Sequence, residues 1–378
     1  MPFTIIFLLS TLSERFFYID IGPLRLSVGD LCLLSSLPFL ILVNSGIKKL
    51  FFYLGVSSFI VILSSIISNA YIFGFNSLIT IPFRFIASYV ILLELQRVRN
   101  PRYWKQVVQL LIYLMITCLL FFSDASIYPI SDIFNRNELL AYIICCILLS
   151  NALKNKYKEN ISDQELIKQL FIILLLILLA LVVGSRQHIL SLLISMICLL
   201  LFVPLRLKLV GVLITLVMIV VSLPMITKNI VGNERSLARI ETIIKFEAST
   251  RADKFRLNNI IQSINGFQER PLFGNGPTSF RRDNVYNKVA HSTPFSVAYE
   301  LGSLGLFWLL VVFYFVLKPT FRTVGYFKNN NQELLVICFL PCVVIQSFFM
   351  ELLPKAPLYI FLACSIFLIY DRKLRCNR

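Results

Sequence analysis

The sequence predicts an all-α, polytopic membrane protein with about twelve transmembrane helices and one large amphipathic-helical loop on the outer side. Three observations predict it. Of 378 residues, 57% are hydrophobic and only 15% are charged, whereas soluble domains are roughly 45–50% apolar. The mean hydropathy is +0.79, and a soluble fold would need far more polar residues to cover its core. The apolar residues also come in long unbroken runs such as Phe171–Val183 and Leu209–Pro224. A membrane-spanning backbone must satisfy its own hydrogen bonds, which leaves helices or closed barrels. Unbroken runs lack the alternation of barrel strands.

A span needs about 20 mostly apolar residues. Such segments fall at 2–19, 28–46, 51–72, 76–96, 106–122, 138–153, 168–184, 187–204, 209–227, 295–317, 334–352 and 356–370. Glu14 and Arg15 interrupt the first, which reads as a retained span and not a removed signal peptide. Basic residues gather in alternate connections: Lys48/Lys49, Arg97/Arg99/Arg102/Lys105, Lys154/Lys156/Lys158, Arg206/Lys208, Lys318/Arg322/Lys328 and the C-terminal Arg372–Arg378. The positive-inside rule makes that side cytoplasmic. Both termini then lie inside, as an even span count requires. A smaller loop at 123–137 and a large loop at 228–294 then lie on the outer side.

The net charge of +16 would suggest nucleic acid in a soluble protein. Here its alternating placement reads as topology, and no nucleic acid is expected. Eight of the nine cysteines fall inside predicted spans, and the large loop has none. Neither a disulfide framework nor a cysteine metal site is implied. There is no internal repeat of broken helices of the transporter kind.

The large loop carries eleven basic and six acidic residues, a net +5. Arginine offers a planar, permanently charged fork suited to phosphate, so the loop invites an anionic ligand. A solvated loop with scattered charge is the plainer alternative. Apolar residues at helical spacing (Leu237, Ile240, Ile244; Leu257, Ile260, Ile261, Ile264) predict helices over 234–247 and 249–267 that lie on the membrane surface. Arg270-Pro271-Leu272-Phe273-Gly274-Asn275-Gly276-Pro277 then reads as a turn whose glycines allow close backbone approach to a ligand. Ala290-His291-Ser292 leads into a span that holds Glu300. A carboxylate there should be paired or face a wet cavity. His291 is placed for proton transfer near neutral pH. Arg84, inside the fourth span, suits a structural pair as well as a substrate role, and His188 can be assigned neither way.

Arg251, the Arg270–Gly276 turn, Ala290-His291-Ser292 and Glu300-Leu301-Gly302-Ser303-Leu304-Gly305 occur in an order that resembles the bacterial O-antigen polymerase and O-antigen ligase superfamily. Gly184-Ser185-Arg186 is similar to the family's Gly-Ser-Arg turn, and Arg136-Asn137-Glu138 to its Pro-Asn-Glu span opening. The chain departs from the pattern at Ser292, where Asn is common, and at Arg136, where Pro is usual. The resemblance covers essentially the whole chain.

That resemblance implies a GT-C-like membrane glycosyltransferase of the inner membrane, acting at its periplasmic face without metal or cofactor. The substrate would be an oligosaccharide linked to undecaprenyl pyrophosphate. Catalytic roles would fall to His291, Arg186, Arg270 and Glu300. Substrate contacts would come from Arg251, Arg256, Gly274, Gly276, Arg281, Arg136 and Asn137. The first reading is a polymerase that joins repeat units. The alternatives are a ligase that transfers finished polymer to lipid A–core, a polysaccharide transporter or flippase, and a non-enzymatic scaffold that binds anionic polymer. Membrane lipid, a chain-length regulator and a flippase are the expected partners.

Overall fold

The structure is a computed structural model that describes residues 1–12, 18–21, 24–27, 46–69, 75–121, 136–155, 163–183, 185–202, 251–284, 290–323, 331–350, 352 and 356–376. Helix dominates the described residues, as unbroken apolar runs require. In chain order the helices are α1 (Pro2–Leu12), α2 (Gly46–Asn69), α3 (Phe75–Arg97), α4 (Pro101–Phe121), α5 (Arg136–Asn155), α6 (Asp163–Val183) and α7 (Arg186–Phe202). Then follow α8 (Arg251–Glu269), α9 (Ser279–Asp283), α10 (Thr293–Thr323), α11 (Asn331–Ile337), α12 (Leu340–Ser347) and α13 (Ala356–Cys376).

Four described helices are long and apolar enough to cross a membrane: Lys49–Asn69, Ser77–Arg97, Gln164–Leu181 and Thr293–Phe321. Shorter apolar helical stretches accompany them at Leu139–Asn155, Gln187–Leu200, Glu333–Ser347 (in two helices) and Pro357–Ile369. The expected spans at 28–46 and 209–227, the loop helix at 234–247 and most of the 123–137 loop lie outside the described residues.

Two expected spans are corrected. The first, 2–19, is helical only to Leu12 among the described residues, and its end belongs to an antiparallel hairpin. Strand β1 (Tyr18–Ile21) pairs with β2 (Leu24–Ser27), Tyr18 opposite Ser27 and Ile21 opposite Leu24. Tyr18, Ile19 and Ile21 of β1 are aromatic and β-branched residue types that favour strand. The second, 334–352, is not one helix. It divides at Cys338-Phe339 into α11 and α12, because Pro341 at the start of α12 has no backbone N–H to continue the ladder.

At the centre stands α13. Its residues Leu358–Leu368 are buried throughout, and it packs against α3, α5 and α10. Phe85 of α3 meets Trp308 of α10 and Tyr359 of α13 edge-on, with ring centroids 5.6 and 5.2 Å apart. Between apolar helices in lipid such packing, not water exclusion, is the main attraction. Polar bonds add register. Ser365 donates to the Phe315 carbonyl at 2.7 Å. The Asn151 and Gln169 amides pair between α5 and α6, and Lys154 pairs with Glu165 beside them. Glu94 of α3 accepts from the Phe3 and Thr4 N–H groups at 3.0 and 2.9 Å, so a remote carboxylate serves the open N-terminus of α1.

Candidate functional site

The turn Arg270–Gly276 and the Glu300–Gly305 stretch are two halves of one structural unit. Helix α10 breaks at Gly302, whose backbone (φ 66°, ψ −156°) lies in a region almost reserved for glycine. A continuous helix would bond Ser303 N–H to Tyr299 and Leu304 N–H to Glu300. Instead, Ser303 N–H donates to the Pro271 carbonyl at 2.7 Å and Leu304 N–H to that of Leu272 at 3.4 Å. The freed carbonyls of Tyr299 and Glu300 accept from Asn275 N–H at 2.8 Å and Gly276 N–H at 3.0 Å. The turn thus replaces both missing helix bonds. Irregular backbone within an apolar span is tolerated where protein groups satisfy it.

Both partners of this junction need glycine. A Cβ on Gly302 would lie 2.6 Å from the Leu272 carbonyl, and one on Gly274 (φ 68°) would lie 2.4 Å from the Glu300 carbonyl carbon. The close approach at Gly274 is therefore to the backbone of α10. Gly276 also has positive φ, at 100°.

Helix α2 locks the junction from the other side. Ser65 Oγ donates to the Glu300 carbonyl at 2.7 Å, and Asn69 Nδ2 to the Gly274 carbonyl at 2.8 Å. Asn275 Nδ2 donates to the Gly266 and Tyr299 carbonyls at 3.0 and 3.2 Å. Sequence reasoning missed Ser65, Asn69 and Asn275. Asn275 carried a readable signal, an amide between two glycines in a turn. Ser65 and Asn69 carried none, because their partners are main-chain carbonyls distant in sequence.

Above the junction, α8 has three faces. Asn259, Ser263 and Gly266 are buried against α10 and the α9 region. Leu257, Ile261 and Ile264 point outward, 53%, 47% and 44% exposed; this is the apolar stripe that the sequence places on a membrane surface. Between them runs a polar stripe at 258, 262, 265 and 269. The Asn284 amide ties α9 down by donating to Asn259 Oδ1 at 3.0 Å and Gln262 Oε1 at 2.9 Å. Tyr299 reaches up from α10, its hydroxyl donating to Asp283 Oδ2 at 3.0 Å and its ring edge-on to Phe280 at 5.2 Å. Burial would raise the Asp283 carboxyl, but hydrogen bonds from Arg282 and Tyr299 outweigh it and hold the carboxyl below its ordinary value.

Helix α7, which follows the Ser185-Arg186 turn, meets α12, and the His291 segment meets the residues just after α12. Ser185 Oγ lies 2.6 Å from His188 Nδ1, and Ser191 Oγ donates to the His188 carbonyl at 3.0 Å. Gln346 Nε2 of α12 donates to Ser191 Oγ at 3.4 Å, and Cys342 lies 2.7 Å from Ser195 Oγ. One turn beyond Gln346, the Met350 carbonyl accepts from Thr293 Oγ1 at 2.7 Å, and Leu352 N–H donates to Thr293 Oγ1 at 2.8 Å. Thr293 and Gln346 are further residues that sequence reasoning missed.

The remaining candidates are placed as follows. Arg186, Arg136 and Arg251 open α7, α5 and α8, with Asn137 after Arg136; their side chains lie outside the described residues. Arg256, Arg270 and Arg281 are exposed, on α8, at its end and on α9. His291 is exposed in a left-handed conformation (φ 56°), its ring 6.4 Å from that of Phe255. Glu300 is half-buried. Arg84 is buried in α3, apart from this group in sequence and 4% exposed.

Several apolar helices with a polar loop joined to a broken one define a helical membrane-embedded protein. Residues 171–310 match the family model described as O-antigen ligase, which bears out the resemblance to the O-antigen polymerase and ligase superfamily. The match runs from α6 through the first half of α10. It includes every candidate site residue except Arg84, Arg136 and Asn137. Proteins of that family are membrane glycosyltransferase-like enzymes, polymerases or ligases. No curated protein matches the chain.

Proposed function

We propose that the protein is an O-antigen polymerase. It joins oligosaccharide repeat units carried on undecaprenyl pyrophosphate at the periplasmic face of the bacterial inner membrane, with both termini in the cytoplasm. The observation that carries a site here is the junction of the 270–276 turn with the break at Gly302, which sets Arg270 and Glu300 on one rigid unit.

In the reaction an acceptor hydroxyl oxygen bonds to the anomeric carbon of the donor. The bond from that carbon to the pyrophosphate oxygen breaks, and the hydroxyl proton passes to a base. Negative charge grows on the departing pyrophosphate. Arg186 and Arg270, with Arg251 as a third, stabilise it, because fixed charge acts most strongly in a site of low dielectric. His291 takes the proton or orients the acceptor. Glu300 orients His291 or lines the lipid entrance. Arg256, Arg281, Arg136 and Asn137 contact the substrate, and Gly274 and Gly276 shape the turn. A chain-length regulator and a flippase act with it.

Polymerase is favoured over ligase by Ser292, which stands where a His-Asn pair would place an amide. Its Oγ is buried without a hydrogen-bond partner among the described residues. Complementation of polymerase-null and ligase-null hosts tests the reading, with surface glycan resolved on a gel. A single-repeat band should become a ladder in the polymerase-null host. Rescue confined to the ligase-null host makes the protein the ligase. Arg186→Ala and Arg270→Ala should each lower product about 10²–10³-fold at unchanged membrane expression. Undiminished ladders would remove the site assignment.

A further inference from the structure

A groove of about 320 Å³ runs along α8, at the small end of the ~300–1,000 Å³ of ligand clefts. One wall is the stripe Asn258, Gln262, Asn265 and Glu269, with Tyr299 and Gly266 beside it. We propose that this groove binds an uncharged sugar residue of the lipid-linked glycan, a subsite separate from the arginines assigned to pyrophosphate. The proposal rests on the glycosyl-transfer reading above.

The lining selects that chemistry. Each amide offers two N–H donors and a carbonyl acceptor, the combination that sugar hydroxyls both accept and donate to. The side chains of Asn258 and Asn265 are exposed and make no hydrogen bond among the described residues. Gln262 Oε1 is held by Asn284, which fixes its amide and leaves its NH₂ group to donate. Tyr299 is 7% exposed, and Asp283 and Phe280 immobilise it, so it adds a rigid aromatic surface. The absence of a Cβ at Gly266 lets this ring sit against α8, since a Cβ would fall 2.1 Å from it.

Charge sets the limit. Among the described residues no cation lines the groove, and Glu269 does. A carboxylate with no arginine beside it in the lining disfavours phosphate and uronic acids, and it accepts hydrogen bonds from neighbouring hydroxyls. The stripe ends at Glu269, directly before Arg270. Asn275, whose amide bonds the Gly266 carbonyl, ties the groove to the turn. A sugar in the groove and a pyrophosphate at Arg270 would therefore be held by adjoining parts of one rigid unit.

Saturation-transfer NMR on the full chain in nanodiscs tests this, with the host's own repeat-unit oligosaccharide released from lipid by mild acid as the probe. Saturation should fall on an uncharged residue of the unit. It should drop at least fivefold in the double variant Asn258→Ala/Asn265→Ala and persist in Arg270→Ala. The double variant should melt with the wild type, because neither side chain is hydrogen-bonded among the described residues. Absent saturation in the wild type, or equal saturation in the double variant, overturns the subsite. Binding through the groove by a wild type that lengthens no glycan in cells would retain the subsite and remove the polymerase.

Discussion

The backbone N–H of Gly276 donates to the carbonyl of Glu300 at 3.0 Å, in the place where a continuous α10 would use the N–H of Leu304. The loop and the span are therefore one hydrogen-bonded object, and a change at either partner should be felt at the other.

Gly302→Ala tests that dependence. A methyl group would sit 2.6 Å from the Leu272 carbonyl, on backbone strained for any other residue. The turn should undock, at a cost of at least about 2 kcal/mol from conformational strain and displaced hydrogen bonds. Cysteine labelling at position 273 in membranes reads the undocking as faster modification, and laddering should fall more than tenfold. Unchanged labelling would show that the two segments are not coupled.

Asn275→Ala and Asn275→Asp separate geometry from charge. Alanine removes two donated bonds and should cost about 1–3 kcal/mol. Aspartate should be worse, because it sets a carboxylate against the Gly266 and Tyr299 carbonyls. Thermal unfolding in detergent should rank wild type above alanine and alanine above aspartate.

Thr293→Val should weaken the link between the His291 segment and the residues just after α12. It removes a donor to Met350 and an acceptor from Leu352 at a position that is 1% exposed. Two unsatisfied groups in a buried site cost about 1–3 kcal/mol each. Glycan laddering should fall at normal expression, while Thr293→Ser, which keeps the hydroxyl, should restore it.

Asp283 gives an acid-side pH dependence. Its carboxyl is held below the ordinary value in the folded chain, so it binds fewer protons folded than unfolded in the acid range. Its stabilisation is present above the unfolded carboxylate value and is lost as pH falls through the lower folded value. The melting temperature of wild type should therefore drop more steeply on acidification than that of Asp283→Asn. Parallel profiles would show that the carboxyl does not hold Tyr299 through its charge.

The sequence by itself determined the solvent of this protein and the neighbourhood of its site. Long apolar runs leave the backbone no choice but helix in lipid, and α2, α3, α6 and α10 follow from them directly. The helical spacing in 249–267 was legible as α8, and the turn at 270–277 as a turn. Pro341 could have been read as a break, but an apolar run spanning it hid the division of 334–352. What only the tertiary structure decided is where the turn goes. Its partners are main-chain groups of residues 299–304, and a backbone hydrogen bond leaves no side-chain signature in sequence. The two glycines that permit the contact read separately as a flexible loop and a small residue in a helix. Ser65, Asn69, Thr293 and Gln346 escaped for the same reason: ordinary polar residues in apolar helices acquire a role only when the fold places an unsatisfied carbonyl, N–H or hydroxyl opposite them.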